Sequence, residues 1–430
     1  MSIVPSVIGE GTYGCVHKPN LKCKNNNATN VKHHLSKIML KKEAKNELHE
    51  YNSISKIDKN KDYFLGKPKY CVPKNNKTNR KAIKKCNLYY NSELAANTFS
   101  EGNLNEFALL IMKDGGKELS EYSKKVILNM PENKSTRVFI QKLWIEILRL
   151  FKGIQLFHRN GIAHHDLKPQ NIVYDETKNR MNFIDFGFMR TYKYIMDRCV
   201  SNRYYIADYP FWCYPFEFPY MNKSDFMKIA KMSQKEKNDY YNQWITDLKT
   251  DTHSKISISM RLFFNYITRN SSELEKNLTM DKYFEGFKHL LMNEMVPKNY
   301  TNFIHKSIET IDVFGLGMSL QFVLNYCKPH MNETIYRSLE ECFYHMMHPS
   351  LVSRFTIENA IAKFETILAN MDIEHRNIKN LIVKHFTKKE SKKYNSLIMD
   401  DNTSEHMLQI TEELQHKFTC SRNKTRKNRK

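Results

Sequence analysis

The stretch that most constrains this chain is His164-His165-Asp166-Leu167-Lys168-Pro169-Gln170-Asn171, followed fourteen residues after Asn171 by Asp185-Phe186-Gly187. Ahead of it, Val138, Phe139, Leu143, Ile145, Leu148, Leu150, Phe151, Ile154 and Leu156 recur at helical spacing, which predicts a long buried helix over 138–159. Behind it, Ile172-Val173-Tyr174 and Asn182-Phe183-Ile184 are short apolar runs separated by the polar segment 175–179. That pattern reads as strand, turn and strand, with Asp185 at the strand terminus. Either short motif occurs by chance in many chains. Together, with flanks that agree, they argue against the plainer reading of a buried Asp and Asn satisfied by backbone groups.

These residues resemble the catalytic loop and Asp-Phe-Gly segment of eukaryotic-type protein kinases, in the Leu-Lys-Pro-x-Asn form used for serine/threonine substrates. The resemblance implies ATP and Mg2+ as cofactors. Asp166 would accept the proton of an attacking hydroxyl, Lys168 would steady the transferred phosphoryl group, and Asn171 and Asp185 would hold magnesium. One departure stands beside the base. The family's arginine is His165 here, and a neutral imidazole is a poor substitute for a bidentate guanidinium. Activation by loop phosphorylation is therefore not carried over. His164 matches the family's histidine and is expected to pack near Phe186.

Near the amino terminus stands Ile8-Gly9-Glu10-Gly11-Thr12-Tyr13-Gly14-Cys15-Val16. Glycines at 9, 11 and 14 let a hairpin approach phosphates, since no Cβ intervenes and positive φ costs little. The apolar runs Val7-Ile8 and Cys15-Val16 give strand-turn-strand, which suits the kinase glycine loop better than a dinucleotide fold. Lys37, inside the strand-like 35–40, is the expected phosphate lysine; Lys22, Lys24 and Lys32 lie in a polar, Asn-rich loop. The competing reading of Lys37 is a surface lysine on an edge strand. A helix over 41–57 should offer its partner. Glu47 and Glu50 compete, and Glu47 is preferred because Tyr51 and Ile54 share its face; the other would be a solvated helix charge. Leu109–Met112 then reads as the strand entering the interlobe hinge, with adenine expected against backbone around Met112 to Asp114.

Downstream, Tyr214-Pro215-Phe216-Glu217 stands where the family has Ala-Pro-Glu, and Glu217 is expected to pair with Arg354. Asp312-Val313-Phe314-Gly315-Leu316-Gly317 resembles the start of the central helix, which implies that Asp312 hydrogen-bonds catalytic-loop backbone. The fold class implied is α+β and bilobal. Residues 1–114 are expected to form a small β-rich N-lobe, and 115–368 a larger helical C-lobe containing a helical insertion at about 221–305. Residues 369–430 are expected to form a basic C-terminal extension. The insertion is too aromatic for a bare disordered loop and is expected to pack on the lobe.

The chain of 430 residues is long enough for two cores, and its nine cysteines show no Cys-x-x-Cys. That predicts free thiols in a reducing compartment and no zinc site. No apolar run reaches about 18 residues and no secretory pattern opens the chain, so a soluble intracellular protein is expected. The net charge of +22 has a local part in the tail Arg422, Lys424, Arg426, Lys427, Arg429 and Lys430. That tail is either a solvated terminus or a salt-sensitive contact to nucleic acid or another anionic partner.

Loop sizes and composition resemble kinases of large cytoplasmic DNA viruses, which implies host cytoplasm or virion as the setting. The implied activity is phosphoryl transfer from Mg-ATP to Ser/Thr hydroxyls of protein substrates. A pseudokinase scaffold and a small-molecule kinase are the alternatives, and Lys168-Pro169 argues against the second.

Overall fold

The computed structural model describes residues 5–11, 14–25, 33–86, 104–204, 211–251 and 253–371. Thr12, Tyr13, Lys32, Cys420 and the basic tail lie outside them.

The amino-terminal lobe is one antiparallel sheet. Its strands are β1 (Ser6–Gly11), β2 (Gly14–Lys18), β3 (His34–Leu40), β4 (Lys69–Cys71) and β5 (Phe107–Lys113), in spatial order β1-β2-β3-β5-β4. Period-two alternation gives this sheet two different faces. Cys15, Ile38, Phe107, Leu109 and Ile111 join Leu21, Ala82, Ile83 and Cys86 in one core. The opposite face carries Met39, Ala108 and Leu110 under Ala44 of helix α1 (Lys41–Ile57). Helix α2 (Lys77–Ile83) closes the first core, capped by Asn76, whose side chain accepts from the Asn79 amide.

The cysteines require a correction. Cys15 is cross-linked to Cys86 and Cys23 to Cys71, while Cys199, Cys213, Cys327 and Cys342 are free and buried. Sequence separations of 71 and 48 hide these pairs, because only the sheet register and the docking of α2 bring the partners together.

In the carboxy-terminal lobe, the short β6 (Lys117–Glu118) leads into α3 (Leu119–Lys125) and α4 (Lys134–Arg159). Asn133 caps α4 by accepting from the Thr136 amide. The chain then forms β7 (Ile162–Ala163), the hairpin β8 (Ile172–Asp175) and β9 (Arg180–Phe183), β10 (Arg190–Thr191) and α5 (Tyr192–Val200). β7 and β10 pair antiparallel, so the loop carrying Asp166 is gripped at its start by the segment that follows Gly187.

The insertion supplies α6 (Lys223–Ala230), α7 (Gln234–Thr250), α8 (Lys255–Ile267) and α9 (Glu273–His289). Ser233 with Glu236 and Ser272 with Glu275 form capping boxes that start α7 and α9. These helices pack on the lobe, as their aromatic content implied. Trp244, Phe263, Phe264, Tyr283 and Phe287 surround Phe216 with ring centroids 5.5–6.4 Å from it.

Helix α10 runs from Tyr300 to Cys327, so it starts twelve residues before Asp312 and passes straight through the expected insertion boundary near 305. Apolar residues recur through Phe303–Leu324 and no proline interrupts them, so nothing ends the helix there. By length and composition this helix could cross a membrane, yet 94% of its apolar window is buried, the pattern of a core helix. Gly315 lets it touch the catalytic loop, since a Cβ there would sit 2.5 Å from the Leu167 carbonyl oxygen. Helices α11 (Glu333–Met346) and α12 (Ile357–Ala369) complete the lobe.

Glu217 and Arg354 form the expected tether. Arg354 donates to both carboxylate oxygens, at 2.6 and 2.7 Å, with both side chains buried. Arg354→Ala should therefore cost about 3–5 kcal/mol in urea unfolding, because it strands a buried carboxylate. Replacing solvent-exposed Lys193, which pairs with Asp197 on the surface of α5, should leave the midpoint unchanged within error.

Candidate active site

Each lobe delivers its polar groups to one cleft for a local reason. On α1, Ala44, Glu47, Tyr51 and Ile54 recur at three- and four-residue steps and form the buried face. Glu47 thereby points at the sheet, where Lys37 Nζ donates to its Oε2 at 2.7 Å. Lys37 lies on an interior strand between β2 and β5, not on an edge. Burial, the largest influence on this ammonium, pulls its pKa down; Asp185 and Glu47 outweigh it and hold it above its ordinary value.

Glu50 is not the solvated charge expected of the unused glutamate. It pairs with Arg190 at 3.0 Å, and Arg190 also donates to the Met189 carbonyl at 2.6 Å. Helix α1 is therefore joined to β10 as well as to β3. Tyr51 meets Phe186 edge-on at 5.3 Å, and Phe64 meets Phe186 in the same way at 6.1 Å.

The glycine hairpin partly departs from its sequence reading. Gly11 pairs with Gly14 and Gly9 with Val16 in the β1–β2 register. Gly14 is not among the residues at positive φ; a Cβ there would lie 2.4 Å from the Ile38 carbonyl oxygen, so close strand approach requires it. Val16 pairs with Lys37, Lys37 with Leu110, and Leu35 with Met112, which puts Val16 and Met112 on the Lys37 face. Cys15, paired with Ile38, is on the opposite face and bonded to Cys86, so it cannot line the Lys37 face as expected. Glu10 pairs with Cys15 in the register, and Ile8 is half exposed. The ligand atoms of Glu10, Cys15 and Cys86 lie within 4.8 Å of one another, but the disulfide consumes both thiolates a metal would need.

In the catalytic loop, Lys168 Nζ lies 3.0 and 2.9 Å from the two Asp166 carboxylate oxygens. Asn171 Nδ2 donates to the Asp166 carbonyl at 2.7 Å and to its Oδ2 at 2.9 Å. This fixes the amide so that Asn171 Oδ1 is left for another partner. Burial raises the Asp166 pKa, opposed mainly by Lys168. Asp185 sits at φ +59, in the left-handed region, with its carboxylate 4.0 Å from Lys37 Nζ. Burial would raise its pKa, but Lys37 first, then His164 and Lys168, hold it below the ordinary value. Cys213, which the sequence did not single out, places Sγ 3.9 Å from Asp166 Oδ1. Its only signal was its place four residues before Glu217.

The turn that aims Asp166 is strained. His165 adopts φ +69, which costs a non-glycine residue on the order of 1–3 kcal/mol. Asp312 offsets that cost by accepting from the amides of His164 at 2.6 Å and His165 at 2.9 Å. His164 packs against Phe186 at 5.1 Å, and its Nε2 lies 3.1 Å from the Ile184 carbonyl oxygen. The His165 ring is hydrogen-bonded to the Tyr204 hydroxyl and enclosed by the rings of Tyr204, Tyr214 and Phe218. Tyr204 is fixed in turn by Asn222, whose Oδ1 accepts from its amide at 3.1 Å.

Residues 112–209 match the protein kinase domain family, a span that contains Asp166, Lys168, Asn171 and Asp185. Similar curated proteins include the serine/threonine-protein kinase grp of Drosophila melanogaster, 32% identical over 94 residues. Calcium-dependent protein kinase 4 of Plasmodium falciparum is 39% identical over 67 residues, and mitogen-activated protein kinase sty1 of Schizosaccharomyces pombe 41% over 69. These alignments cover 14–22% of this chain and only 12–19% of the relatives' own lengths. Among solved structures, the Cydia pomonella granulovirus kinase PK-1 aligns at 18% identity and a TM-score of 0.26, over 44% of this chain and 55% of that one. The bilobal architecture is a protein-kinase fold, and the chain resembles eukaryotic-type protein kinases in the segment that carries the cleft.

Burial lowers the His165 pKa from 6.5 to about 3. The unfolded chain therefore binds a proton that the folded chain refuses. The neutral ring's contribution is complete above about pH 6.5 and is lost as pH falls toward about 3, at up to about 1.4 kcal/mol per unit. Urea midpoints measured from pH 7 to 4.5 should fall more steeply for the wild type than for His165→Phe.

Proposed function

We propose that this protein transfers the γ-phosphoryl group of Mg-ATP to serine or threonine hydroxyls of protein substrates. The observation that carries the reading is the convergence of Asp166, Lys168, Asn171, Asp185 and the Lys37–Glu47 pair in one cleft. A pseudokinase reading has less support, since a basic group, an acceptor and two oxygen donors each occupy a workable place.

The donor set suits magnesium. Asp185 and Asn171 offer a carboxylate and an amide oxygen, and hard divalent cations prefer oxygen ligands. Bound there, the ion would neutralise charge on the phosphate oxygens. Lys37, charged and oriented by Glu47, would hold the α- and β-phosphates beneath the glycine hairpin, with Val16 and Met112 on the same face for the base.

Asp166 would accept the proton of the incoming hydroxyl as its oxygen attacks the phosphorus. Lys168, already beside that carboxylate, would steady charge on the phosphoryl oxygens. Such catalysis is chiefly positioning and electrostatic stabilisation, which a rigid loop supplies. The Leu-Lys-Pro-x-Asn form and the matched relatives favour serine/threonine over other acceptors.

Asp166→Asn should abolish phosphate incorporation from labelled ATP into casein or histone. The magnesium-ATP shift in melting temperature should survive; equal turnover by both proteins sinks the assignment. The pH profile provides a second check. A base must be ionised, and the Asp166 pKa lies above its ordinary 3.8, so kcat/KM should fall with acidification at a pH above that value.

A further inference from the structure

One side chain of the insertion hydrogen-bonds the catalytic loop. Tyr266, near the end of α8, receives a hydrogen bond of 2.7 Å from Gln170 Nε2, four residues after Asp166. Its ring stacks on Trp212 at 4.2 Å between centroids and 27° between planes. Trp212 immediately precedes Cys213, whose sulfur lies 3.9 Å from the Asp166 carboxylate. One ring thus holds the two chain segments that flank the proton acceptor, the catalytic loop and the segment leading to Glu217.

Tyr266 is itself fixed. Its ring also meets Phe322 of α10 at 5.0 Å, and Asn325, one turn along α10, donates to the Ile267 carbonyl at 2.9 Å. Helix α10 also touches Leu167 at Gly315, so the clamp and the loop rest on the same support. The second amide atom of Gln170, Oε1, is buried without a partner among the described residues. The Tyr266 hydroxyl is therefore the side-chain group that sets the orientation of Gln170.

We propose that Tyr266 is a positioning residue for the protein-substrate side of the cleft. The insertion is then a working part of phosphoryl transfer rather than a packing elaboration alone. This rests on the kinase reading above. The clamp lies beside Asp166 in the large lobe, while Lys37, Val16 and Met112 lie in the other lobe. Loosening the clamp should spoil acceptor placement and leave nucleotide binding intact, because small displacements of reacting groups are costly in rate.

The test is Tyr266→Phe, which keeps the stack on Trp212 and removes the hydroxyl that Gln170 needs. With whichever of casein or histone accepts phosphate, kcat/KM for the protein should fall about tenfold, the scale on which small misplacements of reacting groups cost rate, while the lost bond, only part-buried, costs the fold little. The KM for ATP and the melting temperature should stay within error of wild type. Gln170→Leu should show the same pattern, and the double variant should be no worse than either single one, since both remove the same bond. Unchanged protein kinetics in Tyr266→Phe overturns the proposal. So does a parallel loss in ATP affinity and melting temperature, which marks a merely structural residue. Additive losses in the double variant also overturn it. A wild-type protein that turns over no labelled ATP, on either acceptor, removes the kinase reading itself and this proposal with it.

Discussion

The Asp312 carboxylate bears on everything in the cleft. It accepts two adjacent amides, of His164 and His165, and so holds a non-glycine residue in the left-handed region. Without that anchor the turn would relax, and Asp166 would leave its place between Lys168 and Asn171. The anchor comes from the middle of a long buried helix, not from a loop. Its position is set by the same packing that buries α10, which couples site geometry to the stability of the large lobe.

A second set of contacts ties Arg190, β10 and Tyr204 to the elements around the cleft. Arg190 reaches Glu50 on α1, β10 pairs with β7, and Tyr204 closes over His165. The place where a guanidinium would meet a phosphorylated residue holds a neutral imidazole among aromatic rings. Glu47 and Glu50, one turn apart on α1, therefore divide the labour between the lobes. One orients the lysine of β3 and the other ties the helix to the large lobe.

Much of this was legible in the residues because it depends on local pattern. Helical spacing located α4 and the face of α1 that carries Glu47, and short apolar runs on either side of a polar turn located β8 and β9. The Glu217–Arg354 tether was legible from motif order alone. What escaped was set by distance in sequence or by strand facing. Cys15 follows the glycines in the chain, yet strand alternation turns it to the far face, where Cys86 waits. Tyr266 is 96 residues from Gln170, and no periodicity links an insertion helix to a loop it meets only after folding. The start of α10 was missed because a kinase-like motif suggested a beginning where the apolar pattern continues upstream.

The two cross-links of the small lobe are nested: the Cys15–Cys86 ring encloses the Cys23–Cys71 ring. Both β3 and α1 lie on the inner ring, so Lys37 and Glu47 are carried on one covalently closed circuit, while β5 and Asp185 lie outside it. A single break of the backbone between Cys23 and Cys71 would then yield no separate fragment until the bonds are reduced. Topologically, the lysine and its glutamate form one bead on the chain, and the lobe that holds them can be cut without being taken apart.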